Sequence, residues 1–138
     1  MLLVSDVMTH SVVTLTPEMS LGDAAATLST LGVSGAPVCD ADGHVVGVFS
    51  TSDVLKLDGS TAAGARVGAL MTPEVISIGA SDPLKAAIAR MAERGVHRLV
   101  VLGEDGHLAG IITPMDVVKA VARGAITSPS LDATSARP

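Results

Sequence analysis

The sequence predicts an α/β (α+β) fold made of two copies of one β-α-β-β-α unit. The first observation behind this is a repeat. Gly47-Val48-Phe49-Ser50-Thr51-Ser52-Asp53 returns 63 residues later as Gly110-Ile111-Ile112-Thr113-Pro114-Met115-Asp116. The same offset links Met8-Thr9 to Met71-Thr72, Gly32-Val33 to Gly95-Val96, and Asp42-Gly43-His44 to Asp105-Gly106-His107. A fixed period without gaps means equivalent structural units. The second observation is the alternation within each copy between β-rich runs and helical spacing. The third is length: 138 residues suit one domain, and half of that buries too little surface to be safely stable alone, so the copies should share a core.

In chain order, Val12 to Leu15 is a short β-rich run. After Pro17, Ser20 is placed to cap a helix in which Leu21, Ala24, Ala25, Leu28 and Leu31 recur at helical spacing, and Gly32 ends it. Ala36 to Cys39 and Val45 to Phe49 form a hairpin around Asp40-Ala41-Asp42-Gly43. Thr51 or Ser52 starts a second helix through Lys56. The first unit covers 1–57, and the small-residue stretch 58–66 reads as a linker. The second unit, 67–123, repeats the order: a strand from Val75 to Ile78, a helix capped by Ser81 and ended by Gly95, strands Arg98 to Leu102 and Leu108 to Ile112 around Glu104-Asp105-Gly106, and a helix from Pro114 to about Ala122. Residues 124–138 read as a disordered tail.

The chemistry concentrates where the last strand of each unit runs into its helix. Thr113 can cap, Pro114 suits the first helical position, and Asp116 falls in the first turn. Two readings stand. Thr113 and Asp116 form a relative of the capping box, in which the carboxylate also suits the helix dipole. Alternatively, a hydroxyl, free N–H groups and a carboxylate converge to hold a ligand.

Composition excludes several function classes. Net charge is −5, which argues against binding a nucleic-acid backbone. Phe49 is the only aromatic residue, so base stacking on aromatic platforms is nearly excluded. Mean hydropathy is +0.53, yet no apolar run approaches a membrane span and no signal-peptide pattern opens the chain. The single Cys39 forms no intrachain disulfide, as expected in a cytoplasmic setting, and reads as a buried inert thiol. His10, His44, His97 and His107 show no metal-ligand spacing, so no metal site is expected; His44 and His107 read as solvated hairpin residues. Met8 and Met71 read as core residues, and Asp6, Asp23 and Asp82 as capping or solvated positions.

With these motifs in hand, the chain resembles a tandem pair of cystathionine-β-synthase (CBS) domains, a Bateman module. The residues that carry the resemblance are Val7-Met8-Thr9 and Leu70-Met71-Thr72, the paired Gly-Val positions, the Asp-Gly hairpins, and Gly47, Ser50, Asp53 with Gly110, Thr113, Asp116. The resemblance implies a pseudo-two-fold disc with two clefts. It implies that each cleft can hold an adenosine compound, the Asp taking the ribose hydroxyls and nearby hydroxyls and basic groups the phosphate. The ligand-binding positions so implied are Asp116, Thr113, His97, Arg98, Leu99 and Ser77 in the second unit, and Asp53, Ser50, Ser34, Ala36 and Thr14 in the first. His97-Arg98 resembles the phosphate-reaching pair of the γ subunit of AMP-activated protein kinase; Ser34-Gly35 stands at the matching positions. The second cleft should therefore be the tighter anion site.

The expected function is a non-catalytic sensor that binds AMP, ADP, ATP or S-adenosylmethionine as a regulatory ligand, requires no cofactor, and signals to a regulated protein by a change of shape or of dimer. A structural scaffold with empty clefts is the alternative, and an enzyme acting on nucleotides a weaker one, because no nucleophile–base pair, metal constellation or phosphate loop is visible. A homodimer is expected, paired through the helices around Leu21 to Leu31 and Leu84 to Met91 and those after Asp53 and Asp116.

Overall fold

Glycine ends both long helices. Helix α2 (Leu21–Leu31) stops at Gly32 with φ 67°, and α4 (Leu84–Arg94) stops at Gly95 with φ 64°, a left-handed conformation that costs a residue without Cβ nothing. The structure, a computed structural model, describes residues 1–10, 12–57 and 64–126. Residues 58–63 of the linker expected over 58–66, and residues 127–138 of the tail expected over 124–138, lie outside the described residues. Ser20 caps α2 as expected, its Oγ accepting from the Asp23 N–H at 3.1 Å. Ser81 does not cap α4. That helix opens at Pro83, the repeat counterpart of Ser20, without a side-chain cap, and Asp82 accepts the Gly79 N–H at 2.8 Å in the turn before it.

The hairpins match across the repeat. Strands β1 (Gly35–Cys39) and β2 (Val45–Ser50) are antiparallel, as are β4 (Leu99–Leu102) and β5 (Leu108–Ile112). Both carry a register shift at the same repeat position, Val38/Cys39 and Val101/Leu102. Strand β3 (Ser77–Gly79) adds to β4 in parallel, giving the order β3-β4-β5. Its counterpart, the run from Val12 to Leu15, shrinks to a single bridge between Leu15 and Val38. The reason is one residue: Ala80 donates its N–H to Leu102 at 2.9 Å, and the matching Pro17 has none to donate.

The final helices diverge too. Pro114–Ala122 forms α5, whereas Thr51–Lys56, which starts at Thr51 and ends at Lys56 as expected, is a 3₁₀ helix with Ser50 at its N-cap. The chain after Lys56 is Leu-Asp-Gly, a helix-breaking run; the chain after Lys119 is Ala-Val-Ala, which continues a helix.

Two one-turn helices, α1 (Val4–Val7) and α3 (Val67–Leu70), escape the sequence reading. Each delivers a Met-Thr pair to a strand of the other repeat. Thr9 exchanges both backbone bonds with Ile111, at 2.8 and 3.0 Å, and Thr72 does so with Val48, both at 2.9 Å. The packing units therefore differ from the repeats. One comprises Met1–Ser11 with the chain from Ile76, and the other Val12–Val75. We call them the Asp116 unit and the Asp53 unit. Expected sharing between the copies thus takes the form of exchanged leading segments, and each unit has its own core. Val4, Val7, Ile78, Leu84, Leu99 and Ile112 are central to the first core; Leu15, Leu28, Ala36, Val38, Phe49 and Val67 are central to the second. Ile126 also packs in the first core, and the Ala125 N–H bonds the Ala120 carbonyl at 3.0 Å, so the ordered chain runs past the expected boundary at 123.

Candidate functional site

In the Asp116 unit, β5 delivers Thr113 to the N-cap of α5 with Pro114 behind it. Asp116 Oδ2 accepts the Thr113 N–H at 2.9 Å and the Thr113 hydroxyl at 3.2 Å, and Thr113 Oγ1 accepts the Asp116 N–H at 3.3 Å. This is a formed capping box. The second carboxylate oxygen, Oδ1, accepts the Thr9 hydroxyl at 2.9 Å. Asp116 nevertheless stays half-buried, less enclosed than a core residue. His97 is exposed at the end of α4's return, and Arg98 is half-buried where β4 begins. Ser77 is half-buried, and Arg90 donates to its carbonyl at 2.6 Å. His97 and Pro114 face a common apolar groove of about 660 Å³ between α4 and α5, walled by Ile88, Met91, Val117 and Val118.

The Asp53 unit repeats the motif with a different outcome. Asp53 is only 4% exposed. Its Oδ2 accepts the Ser50 N–H at 2.9 Å and the Ser50 hydroxyl at 3.4 Å; its Oδ1 accepts the Thr72 hydroxyl at 3.1 Å and the Lys56 ammonium at 2.8 Å. Burial would raise its pKa, but the Lys56 hydrogen bond, the Ser50 N–H, the Thr72 hydroxyl and the Lys56 charge hold it below the ordinary carboxylate value. Lys56 also donates to the Leu70 carbonyl at 2.9 Å. The two threonines are the exchanged ones, so each repeat's Thr binds the other repeat's Asp.

The remaining expected positions separate. Ser34 and Thr14 are exposed; Ser34 offers its carbonyl to the Thr51 N–H at 2.8 Å. That bond has no counterpart between His97 and Pro114, because proline lacks the N–H. Ala36 and Leu99 are 1% and 0% exposed and their side chains belong to the cores. Strand alternation points them inward. Asp53 is likewise closed off by its own partners. Thr9, Thr72 and Lys56 join the two motifs from outside the positions expected from the sequence. The repeated Met-Thr pairs were the available signal, but a linear repeat does not say which copy of Asp each Thr meets.

Elsewhere, ligand atoms of Asp40, Asp42 and His44 lie within 4.8 Å of one another on the exposed first hairpin. Asp40 Oδ1 already accepts the N–H groups of Asp42 and His44, both at 2.9 Å, which is turn chemistry. Cys39 is half-buried, and burial and then Asp40 push its thiol pKa up, leaving it a poor nucleophile. Among the described residues, no helix is long and apolar enough to cross a membrane.

Comparison with known proteins agrees with this architecture. The CBS domain family model matches twice, over residues 4–60 and 67–123. The crystal structure of CBSX2 in complex with AMP, a protein of Arabidopsis thaliana, superposes with a TM-score of 0.81 at 34% identity, covering 90% of this chain and 98% of that one. Inosine-5'-monophosphate dehydrogenase of Methanocaldococcus jannaschii is 29% identical over 83% of this chain but only 22% of its own length. The human 5'-AMP-activated protein kinase subunit gamma-3 is 34% identical over 64% of this chain and 20% of its own. The chain thus spans about a fifth of the length of these curated relatives.

Proposed function

Because the chain belongs to the CBS-domain family and carries the domain twice, we propose that it is a non-catalytic regulatory module that binds an adenosine-containing ligand, AMP, ADP, ATP or S-adenosylmethionine, at the Asp116 unit. The observation that carries this is the half-exposed Asp116 at the start of α5, with His97 and Arg98 in the same unit. A carboxylate can accept from two vicinal hydroxyls at once, and charge-assisted bonds are the stronger kind. Asp116 takes the ribose diol, with Thr113 beside it. Arg98 offers a planar donor fork and His97 a ring N–H donor for phosphate. Leu99 and Ser77 contribute backbone to the walls. The AMP complex of CBSX2 supports this ligand class.

The ligand signals by shifting the module between conformations or assembly states, which it can do only through different affinities for them. The dehydrogenase relative lends no activity here, since the match covers only 22% of it. A scaffold with empty clefts is the second reading, and it is favoured by one observation: both Asp carboxylates already cap helices.

Titration calorimetry of the full chain against adenosine, AMP, ADP, ATP and S-adenosylmethionine separates the two. Asp116→Asn should weaken every binding ligand about tenfold or more while the fold survives. Arg98→Ala should cost AMP roughly 1.5–3 kcal/mol, the range for hydrogen bonds to charged groups, and leave adenosine nearly unchanged. Equal losses for both ligands remove phosphate contact as the role of Arg98. No heat from any ligand leaves the scaffold.

A further inference from the structure

The two Asp positions are equal in the repeat and unequal in space. Asp116 has one hydroxyl on Oδ1 and remains half-exposed. Asp53 has a hydroxyl and an ammonium on Oδ1 and is 4% exposed. The ammonium comes from Lys56, and Lys119 occupies the same repeat position in the other unit. The helices under the two pairs differ. In a 3₁₀ helix residues three apart eclipse one another, and Lys56 Nζ meets Asp53 Oδ1 at 2.8 Å. In an α-helix residues three apart are offset by about 60° around the axis, and among the described residues no ion pair joins Lys119 to Asp116. Lys56 is further fixed by the Leu70 carbonyl at the end of α3, where a cation is favoured. The Thr51–Ser34 bond fastens the mouth of the same motif, and Pro114 forbids its counterpart in the Asp116 unit.

We propose that Asp53 is a sealed structural tie, locked by Lys56 and Thr72, and that the chain therefore carries one adenosine site, at Asp116, in place of the two that its repeat suggests. The proposal rests on the reading that the Asp116 unit binds an adenosine ligand. Thr72 comes from the far end of the unit, so the tie holds the segment after α3 against β2 and the 3₁₀ helix. Lys56 fills the side of the carboxylate that a ribose diol needs.

The test combines stoichiometry with stability. AMP is titrated into the full chain and into Asp53→Asn, Lys56→Met and Asp116→Asn, and each protein is melted without ligand. Wild type should bind one AMP per chain. Asp53→Asn should bind one AMP within about twofold of wild-type affinity yet melt several degrees lower, because its amide sets a donor against the donors of Ser50, Thr72 and Lys56. Lys56→Met removes the seal and keeps the carboxylate, and should also melt lower with one AMP still bound tightly. Two AMP per wild-type chain, or loss of AMP binding in folded Asp53→Asn, overturns the proposal. If wild type binds no ligand, the nucleotide reading falls first. The tie is then judged by the melts alone, and unchanged melting of both Asp53→Asn and Lys56→Met overturns it.

Discussion

Asp53 shows how a single position can look chemically poised and be structurally spent. Its four donors make the ionised form the native one despite burial. The native carboxyl therefore has a lower pKa than the unfolded one. As pH falls, the unfolded chain takes up this proton first, so the stabilisation is fully present at neutral pH and drains away as pH drops from about 4 through the native value. Asp40 and Asp105 also have lowered pKa values, chiefly from the backbone N–H groups of His44 and His107, but they are shared by any Asp53 variant and cancel in the difference. Urea denaturation of wild type and Asp53→Asn at a series of pH values should show a stability gap that narrows steadily below about pH 4. A gap of constant size down to about pH 2.5 would mean that Asp53 titrates alike in the folded and unfolded chain. Ser20, Gly32, Gly95 and Thr113 were legible in the sequence because capping is local. Lys56 was not, because its reach depends on which helix forms under it.

Among elements, the hairpins and α5 were read closely, since Asp-Gly turns and a Thr-Pro start are short-range signals. The short helices α1 and α3 were missed because four residues show no periodicity. The first strand is shorter than its β-rich run suggests because the decisive Pro17 sits just beyond it. The repeated glycines inside β2 and β5 carry a message that only the exchanged segments explain. A Cβ at Gly110 would strike the Thr9 carbonyl and approach Met8 Sδ at 3.0 Å; at Gly47 it would meet Met71 Sδ at 2.7 Å and the Thr72 carbonyl at 2.9 Å. Backbone carbonyls in a two-bond bridge cannot step aside cheaply. Gly110→Ala and Gly47→Ala should each cost about 1–3 kcal/mol by overpacking. Gly22 on α2 has nothing within 4 Å of its Cβ position, and Gly22→Ala should instead gain about 0.5 kcal/mol. Chemical denaturation of the three variants checks the ordering. Wild-type stability for Gly110→Ala would show that the Met8-Thr9 segment yields easily.

For the whole molecule, the repeat was legible and the exchange of leading segments was not, because Thr9 meets Asp116 across 107 residues of sequence. The exchange pairs each leading segment with a strand of the other repeat, yet it leaves apolar helix surface uncovered. On α5, Met115, Val118 and Val121 are 57%, 56% and 54% exposed, beside the apolar groove against α4. In the Asp53 unit, Leu31 and Leu55 are 54% and 86% exposed. Exposed apolar residues on α5 are the kind of surface that interfaces cover, and the expected occupant is a second copy using the same helix. Val118→Glu places a charge where the partner helix would sit and, being on the surface, should leave the fold intact. Light scattering after size exclusion should give twice the 13.8 kDa chain mass for wild type and a single chain for Val118→Glu. Because α5 begins at Thr113 and Asp116, an adenosine ligand held there would act on the helix expected to make the contact, so adding AMP should shift the association constant of wild type. A wild-type monomer at tens of micromolar, with and without AMP, would assign the exposed helix face to a different protein and move the output of the module there.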